Sequence, residues 1–196
     1  MILKNALVLN DKFLFKDIDV FIDEGKIKAL FKRDSVNKNE VSCYEPGNDF
    51  EVDLEGFYLL PGLIDIHIHG SIGHDIMDSS FEAINSISDY LAQNGITSFL
   101  ATTMSESFQR IENAVLKVKA CMDIGTSGAQ LLGIHMEGPY FSKQYKGAQN
   151  DKFFSLPFVE QFKKLQTISG NNIKIVSIAP EIENALDFIK EISSIN

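Results

Sequence analysis

The chain has little cysteine, a shortage of positive charge and no long apolar run. Its two cysteines, Cys43 and Cys121, match no metal-binding spacing and give no disulfide framework. Asp and Glu outnumber Lys and Arg by 27 to 18, and the net charge of −9 argues against nucleic acid or an anionic membrane as a partner, because either would be repelled. No apolar stretch approaches the roughly 18 residues of a membrane span, and no secretion signal is recognisable at the N-terminus. We therefore expect a cytoplasmic protein.

The remaining composition is that of an ordinary globular protein. Of the 196 residues, 44% are apolar and 23% are charged. This length is sufficient for one or two domains with a substantial core.

Residues 1–60 have the pattern of short strands joined by turns. Residues 18, 20 and 22 are apolar at the period-two spacing of a strand, and Glu24-Gly25 marks a turn before the next apolar run. Residues 32–49 are polar and are predicted to form an exposed loop. We predict a small β-sandwich-like domain over residues 1–60.

From Pro61 onward the pattern changes to strands that alternate with helices. The predicted strands are residues 63–69, 96–101, 131–136 and 173–179, and the predicted helices are 79–94, 108–122, 157–168 and 182–192. Ser79 or Ser80 is available to cap the first helix. Four successive strand–helix units predict an α/β fold with a parallel sheet, the N-terminal portion of a (β/α)₈ TIM-type barrel over residues 61–196. A full barrel takes roughly 250 residues, so we expect the barrel in this chain to be incomplete.

His67 and His69 end the apolar run of the first predicted barrel strand. Residues i and i+2 of a strand project to the same face, so the two imidazoles should point the same way. Imidazole pairs are common ligands of zinc and related ions. The chain has only four histidines, and these two lie at the carboxyl end of a strand, where barrel enzymes place their chemistry. We predict a metal site.

Glu137 follows the third predicted barrel strand and should emerge at the same edge of the sheet. A carboxylate there can complete or bridge a metal site, although a loop glutamate that only solvates the strand end fits the residues as well. Gly138-Pro139 turns the backbone away and leaves the side chain at the rim. His135 shares the strand face of Glu137 and could line the pocket or orient a ligand. His74 is expected in a solvated loop.

The segment Lys146-Gly147-Ala148-Gln149 lies on the long loop after Glu137. Its small residues permit close approach of a ligand to the backbone, and Gln149 offers both a donor and an acceptor. A sugar or amide substrate would use those groups. The residues fit equally well a surface turn that has no role in binding. Thr102 and Thr103, at the end of the second barrel strand, could offer hydroxyls to a substrate.

Several segments, in order, carry a resemblance to a known family. They are residues 60–70 (LPGLIDIHIHG), 73–78 (GHDIMD), 95–103 (GITSFLATT), 133–140 (GIHMEGPY), 146–149 (KGAQ) and 173–181 (IKIVSIAPE). The first resembles the first-strand signature of the metal-dependent amidohydrolase superfamily. Together they resemble the N-acetylglucosamine-6-phosphate deacetylase family, and the similarity spans essentially the whole chain.

The resemblance implies an activity and a set of site residues. His67 and His69 would bind one metal of a site for one or two ions, with Glu137 as a central ligand and Ala148 and Gln149 as substrate-binding residues. The substrate would be a sugar phosphate, N-acetylglucosamine 6-phosphate, whose acetamide is hydrolysed to glucosamine 6-phosphate and acetate. The cofactor would be a divalent metal, for which zinc is favoured and Fe, Mn or Co are acceptable.

The resemblance also implies residues that this chain does not supply. The family takes two more histidine ligands and a general acid/base aspartate from later strands, which are expected beyond Asn196. We therefore expect the N-terminal half of a deacetylase, weakly active or inactive alone.

Two alternatives stay open at this point. One is another amidohydrolase, such as a cyclic amidase, which accounts for the histidine pair but not for the Glu137 and Lys146–Gln149 motifs. The other is a non-catalytic fragment that folds only with a complementary half or as a homo-oligomer, since an open half-barrel exposes strand edges.

Overall fold

The computed structural model describes residues 1–32 and 50–195. The chain divides into two compact units, Met1–Pro61 and Gly62–Asn196. Apart from residue 32, the loop predicted at residues 32–49 lies outside the described residues, as does Cys43. Within the described ranges, no helix combines the length and apolar character that crossing a membrane requires.

The first unit is built on one long strand that several shorter strands flank. Its described elements are β1 (Ile2–Lys4), β2 (Leu7–Leu9), β3 (Phe15–Asp23), β4 (Lys26–Lys32), β5 (Glu51–Asp53) and β6 (Tyr58–Leu59). The strand order is β5-β1-β3-β2-β6, and β4 also pairs with β3. β3 runs antiparallel to β1, β2 and β4, and its adjacent residues Val20 and Phe21 are both buried.

The second unit alternates strands and helices, as the sequence predicts. Its elements are β7 (Leu63–Ile68), β8 (Gly70–Ser71), β9 (His74–Asp75), α1 (Phe81–Gln93), β10 (Ile96–Thr102), α2 (Phe108–Ile124), β11 (Gln130–Glu137), α3 (Val159–Ile168), β12 (Ile173–Ser177) and α4 (Ala185–Ile192). β8 and β9 form a small hairpin. The other four strands form one parallel sheet in the order β12-β11-β10-β7.

The helices pack on the sheet through the apolar stripes seen in the sequence. Ile87 on α1 and Val115 on α2 are completely buried, together with Phe99 and Ile134 of the sheet. These side chains belong to one apolar core, which holds the strands in fixed register under the helices.

The starts of α3 and α4 differ from the sequence prediction, whereas α1 begins at Phe81, directly after its two candidate cap residues. α3 begins at Val159 rather than at Pro157. α4 begins at Ala185 rather than at Ile182, because Asn184 has φ 65° and a left-handed conformation that cannot continue a right-handed helix. Both changes lie at the ends of elements and leave the sheet order unaffected.

The parallel arrangement fixes where the functional side chains meet. The carboxyl ends of β7, β10, β11 and β12 lie at the same edge of the sheet, as in other parallel α/β proteins. This edge carries His67, His69 and Glu137.

Candidate metal centre

The two histidines at the end of β7 lie close together. His67 is in the strand and His69 follows its last residue, and their ring centroids are 4.9 Å apart. The backbone beneath them is held by polar side chains. The N–H of His67 donates to Asp65 Oδ1 at 3.0 Å, and the N–H of Ile68 donates to Thr102 Oγ1 at 2.9 Å. These bonds orient the end of β7.

Glu137 reaches the histidines from another strand. It is the last residue of β11, which is separated from β7 by β10. Its Oε2 lies 2.8 Å from Nε2 of His69. One ligand atom each from His67, His69 and Glu137 lie within 4.8 Å of one another. The structure thus brings together the three residues that were predicted as metal ligands.

The donor set of this cluster fits a divalent metal. Two imidazoles and a carboxylate form a common donor set for Zn²⁺ and related ions. His67 is exposed and the other two are half-buried, so the cluster is accessible from solvent. The Nδ1 atom of His69 is buried and has no hydrogen-bond partner among the described residues, whereas Nε2 of the same ring faces Glu137.

His135, on β11, contacts His67 across the intervening strand β10. Its Nδ1 is 3.1 Å from the carbonyl oxygen of Ile66, which can only accept, so Nδ1 carries the proton and donates. Its Nε2 then accepts from the hydroxyl of Ser177 at 2.8 Å. Burial lowers the pKa of His135, which agrees with this neutral ring. The same Nδ1 lies 3.3 Å from Nδ1 of His67, so the two rings are in contact.

Ala148 and Gln149, the predicted substrate-binding residues, lie on opposite sides of their loop. Ala148 is exposed, whereas Gln149 is buried and its Nε2 donates to Glu137 Oε2 at 2.9 Å. Thr103 Oγ1 is buried and unpartnered among the described residues. His74 lies in β9, half-buried and outside the cluster.

Two contacts of the site were absent from the sequence prediction. Ser177 bonds to His135, and the backbone N–H of Ser105 bonds to Gln149. Serines at or after strand ends are common, so nothing in the sequence marks these two. Only the spatial neighbourhood of parallel strand ends could have indicated Ser177.

Comparison with known proteins places the chain in a family. The model of the Amidohydrolase family matches residues 58–194. The N-acetylglucosamine-6-phosphate deacetylase of Bacillus subtilis (strain 168) is 35% identical over 198 residues, which cover 98% of this chain and 47% of that protein. An N-acetylgalactosamine-6-phosphate deacetylase of Escherichia coli O157:H7 is 33% identical over 156 residues, which cover 80% and 41% of the two chains.

Solved structures agree with these matches. An N-acetylglucosamine-6-phosphate deacetylase from Thermotoga maritima has a TM-score of 0.74 and 29% identity, with 98% of this chain and 46% of that chain covered. The enzyme from Pasteurella multocida has a TM-score of 0.79 at 24% identity, with 97% and 48% covered, and shows the shared fold. The predicted incomplete amidohydrolase barrel is therefore confirmed.

The chain spans about half the length of the curated relatives it matches. The match to the family model nevertheless takes in most of the second unit, including both histidines and Glu137. The chain belongs to the amidohydrolase family and is similar within it to N-acetylglucosamine-6-phosphate deacetylases.

Proposed function

We propose that the chain supplies part of the active site of a deacetylase. The reaction is hydrolysis of the acetamide of N-acetylglucosamine 6-phosphate to glucosamine 6-phosphate and acetate. The observation that carries this proposal is the convergence of His67, His69 and Glu137 within 4.8 Å, in a chain 35% identical to a deacetylase of Bacillus subtilis.

The three side chains would hold a divalent cation. Zinc suits two imidazoles and a carboxylate best, and Fe, Mn or Co accept the same donors, with one or two ions in the complete enzyme. When bound, the ion polarises the acetamide carbonyl and lowers the pKa of a water molecule.

The other residues of the site orient these ligands and meet the substrate. Thr102 and Asp65 hold the backbone at the end of β7, and His135 contacts His67. Ala148 is exposed, so its backbone is accessible to the sugar. These groups bind and orient, and none of them is proposed to carry a proton between substrate and water.

The chain alone is proposed to turn over its substrate weakly or not at all. The resemblance assigns two more histidine ligands and a general acid/base aspartate to sequence beyond Asn196. Three ligands without a group that transfers the proton make a poor hydrolase. We propose a complementary half, or association of copies, as the partner that completes the site.

A second candidate substrate is N-acetylgalactosamine 6-phosphate. The relative from Escherichia coli O157:H7 that bears this name is 33% identical to the chain. The two sugars differ in the configuration of one hydroxyl, and the reacting acetamide is the same in both. The metal cluster alone therefore does not discriminate between them.

Zinc binding by variants of the cluster tests the proposal. We expect the chelator-treated chain to bind Zn²⁺ saturably, and His69→Ala to lose that binding because it removes the imidazole nearest Glu137. His74→Ala is the matched control, since His74 lies outside the cluster. Equal zinc affinity in wild type and His69→Ala would contradict the proposed site.

Acetate release on the same samples tests the reaction. We expect little release from either sugar phosphate by the chain alone. Release should appear when the chain is mixed with the part of the Bacillus subtilis relative that lies outside the match, and His69→Ala should abolish it. Hydrolysis of a cyclic amide by that mixture, without release from the sugar phosphates, would favour the cyclic amidase.

A further inference from the structure

Gln149 is buried in a loop whose neighbouring residues are exposed. It is 8% exposed, whereas Ala148 and Asn150 on either side are open to solvent. Glutamine is seldom buried unless its amide is hydrogen-bonded. The loop turns this one side chain inward, so its contacts indicate its role.

Both ends of the Gln149 amide have partners in the protein. Oε1 accepts from the backbone N–H of Ser105 at 3.0 Å, and Nε2 donates to Oε2 of Glu137 at 2.9 Å. A backbone N–H can only donate and a carboxylate can only accept, so a single orientation of the amide satisfies both. Nε2 also lies 3.6 Å from Sδ of Met104. Each end of the amide therefore already has a hydrogen-bond partner within the protein.

The oxygen of Glu137 that receives this bond is the one that faces the cluster. Oε2 lies 2.8 Å from Nε2 of His69 and 2.9 Å from Nε2 of Gln149. Gln149 thereby connects the carboxylate to the backbone that follows β10, where Ser105 lies.

The surroundings hold Gln149 in this position. The N–H of Gln149 donates to the carbonyl of Lys146 at 3.1 Å, and the ammonium group of Lys146 pairs with Asp151 at 2.9 Å. Gly138 has φ 78°, and a Cβ on it would collide with the hydroxyl of Ser105. The backbone after Glu137 therefore packs directly against Ser105, whose N–H donates to the side-chain amide oxygen of Gln149.

We propose that Gln149 is a positioning residue, which holds the Glu137 carboxylate in place for the divalent cation. This inference rests on the proposed function, and it gives Gln149 a role other than direct contact with the sugar. A hydrogen bond to a ligating carboxylate fixes its orientation before the ion arrives, so less freedom is lost on binding.

The zinc affinity of a variant that lacks only the amide tests this role. Gln149→Met keeps the length of the side chain and removes the donor and the acceptor. Competition against a chromophoric chelator should give a Zn²⁺ affinity about 10- to 100-fold below that of the wild-type chain. Gln144→Met is the matched control, because Gln144 is exposed and its amide donates to the hydroxyl of Tyr145. Wild-type affinity in Gln149→Met would overturn the proposal.

A double-mutant cycle on the metal-free chain tests the contact itself. Urea unfolding of wild type, Gln149→Met, Glu137→Met and the double variant should show that the two losses of stability are not additive, because both variants remove the same bond. Additive losses would overturn the role of Gln149. A wild-type chain that binds no zinc would instead refute the proposed function, so the two failures are distinguishable.

Discussion

Tyr140, three residues after Glu137, is among the largest side chains that the described part of the chain buries completely. It is 1% exposed, and its ring packs edge to face on Phe188 with centroids 5.1 Å apart. Burial raises the pKa of Tyr140 to about 12, because the phenolate would lose its hydration. The loop after Glu137 is thus anchored in the core by a side chain that resists ionisation.

Tyr140 should make the chain less stable in alkali. Below a pH of about 10 the phenol is protonated in both the folded and unfolded states, so it adds no pH dependence. Above that pH the unfolded chain loses the proton first, and the free energy of unfolding falls by about 2 kcal/mol as the pH approaches 12. Urea unfolding at a series of pH values should show this loss in wild type, and a smaller loss in Tyr140→Phe. Parallel pH curves for the two proteins would contradict the assignment.

The positions of the three candidate ligands were predictable from the sequence because local periodicity governs them. His67 and His69 are two residues apart at a strand end, and Glu137 ends an apolar run, so their common edge follows from a parallel sheet. The contact between Gln149 and Glu137 was not predictable. It depends on the path of an irregular loop, and no periodicity encodes that path.

At the scale of the elements, the structure shows which of two neighbouring serines is the N-cap of α1. Both Ser79 and Ser80 were candidates from the sequence. Ser80 has extended φ and ψ angles, and its hydroxyl accepts from the N–H of Ala83 at 3.1 Å. Ser79 has φ 53° and instead donates to the carbonyl of Met77. Ser80 is therefore the N-cap.

Replacing this cap should cost about 1 kcal/mol. Ser80→Ala leaves the N–H of Ala83 without its acceptor at the start of α1, and N-cap losses of this kind are typically of that size. Ser86→Ala, within the same helix, is the control and should change stability little, because alanine is a good helix former. The midpoint and slope of urea unfolding give both values. Equal stability in Ser80→Ala and wild type would show that the cap contributes nothing.

The elements that the sequence did not predict are too short to show a periodic pattern of apolar residues. The β8–β9 hairpin has two residues per strand, and its turn places the β-branched Ile72 at φ 48°, which that residue type rarely adopts. The start of α4 depends on the left-handed Asn184, which an apolar stripe beginning at Ile182 does not reveal. The long strands and helices, in contrast, follow directly from their apolar spacing.

At the scale of the whole molecule, β7 lies at one end of the parallel sheet and is rich in exposed apolar side chains. Leu63, Ile64 and Ile66 are 65%, 61% and 56% exposed. β12 lies at the opposite end, next to an apolar groove of about 530 Å³ that Phe162, Ile173 and Ile192 help to line. Exposed edge strands with apolar surfaces favour association.

If copies of the chain associate as proposed, charges placed on β7 should weaken that association. Ile64 and Ile66 project from the same face of the strand, so the double variant Ile64→Lys/Ile66→Lys puts two like charges there. Sedimentation over a range of concentrations should show self-association of the wild-type chain and less of it in the variant. Leu116→Lys on α2, where Leu116 is 46% exposed, controls for the loss of an exposed apolar residue elsewhere. A strictly monomeric wild-type chain would argue against association through this edge.

The number of strand–helix units was readable from the sequence, and it led to the prediction of an incomplete barrel that the structure and its relatives bear out. The sequence does not predict which surface, if any, covers β7 and β12 at the two ends of the sheet. Apolar residues on a strand are compatible with any covering surface, so Ile64 and Ile66 do not specify one.

The position of Glu137 two strands away from the histidines has a mechanical consequence. An ion shared by β7 and β11 would act as a cross-link between strands that are not neighbours, closing a loop of about 70 residues. A covalent bond closing such a loop removes on the order of 4 kcal/mol of conformational freedom from the unfolded chain. Chelators would then lower the free energy of unfolding of this chain, and the supply of metal would bear on how long its folded state lasts.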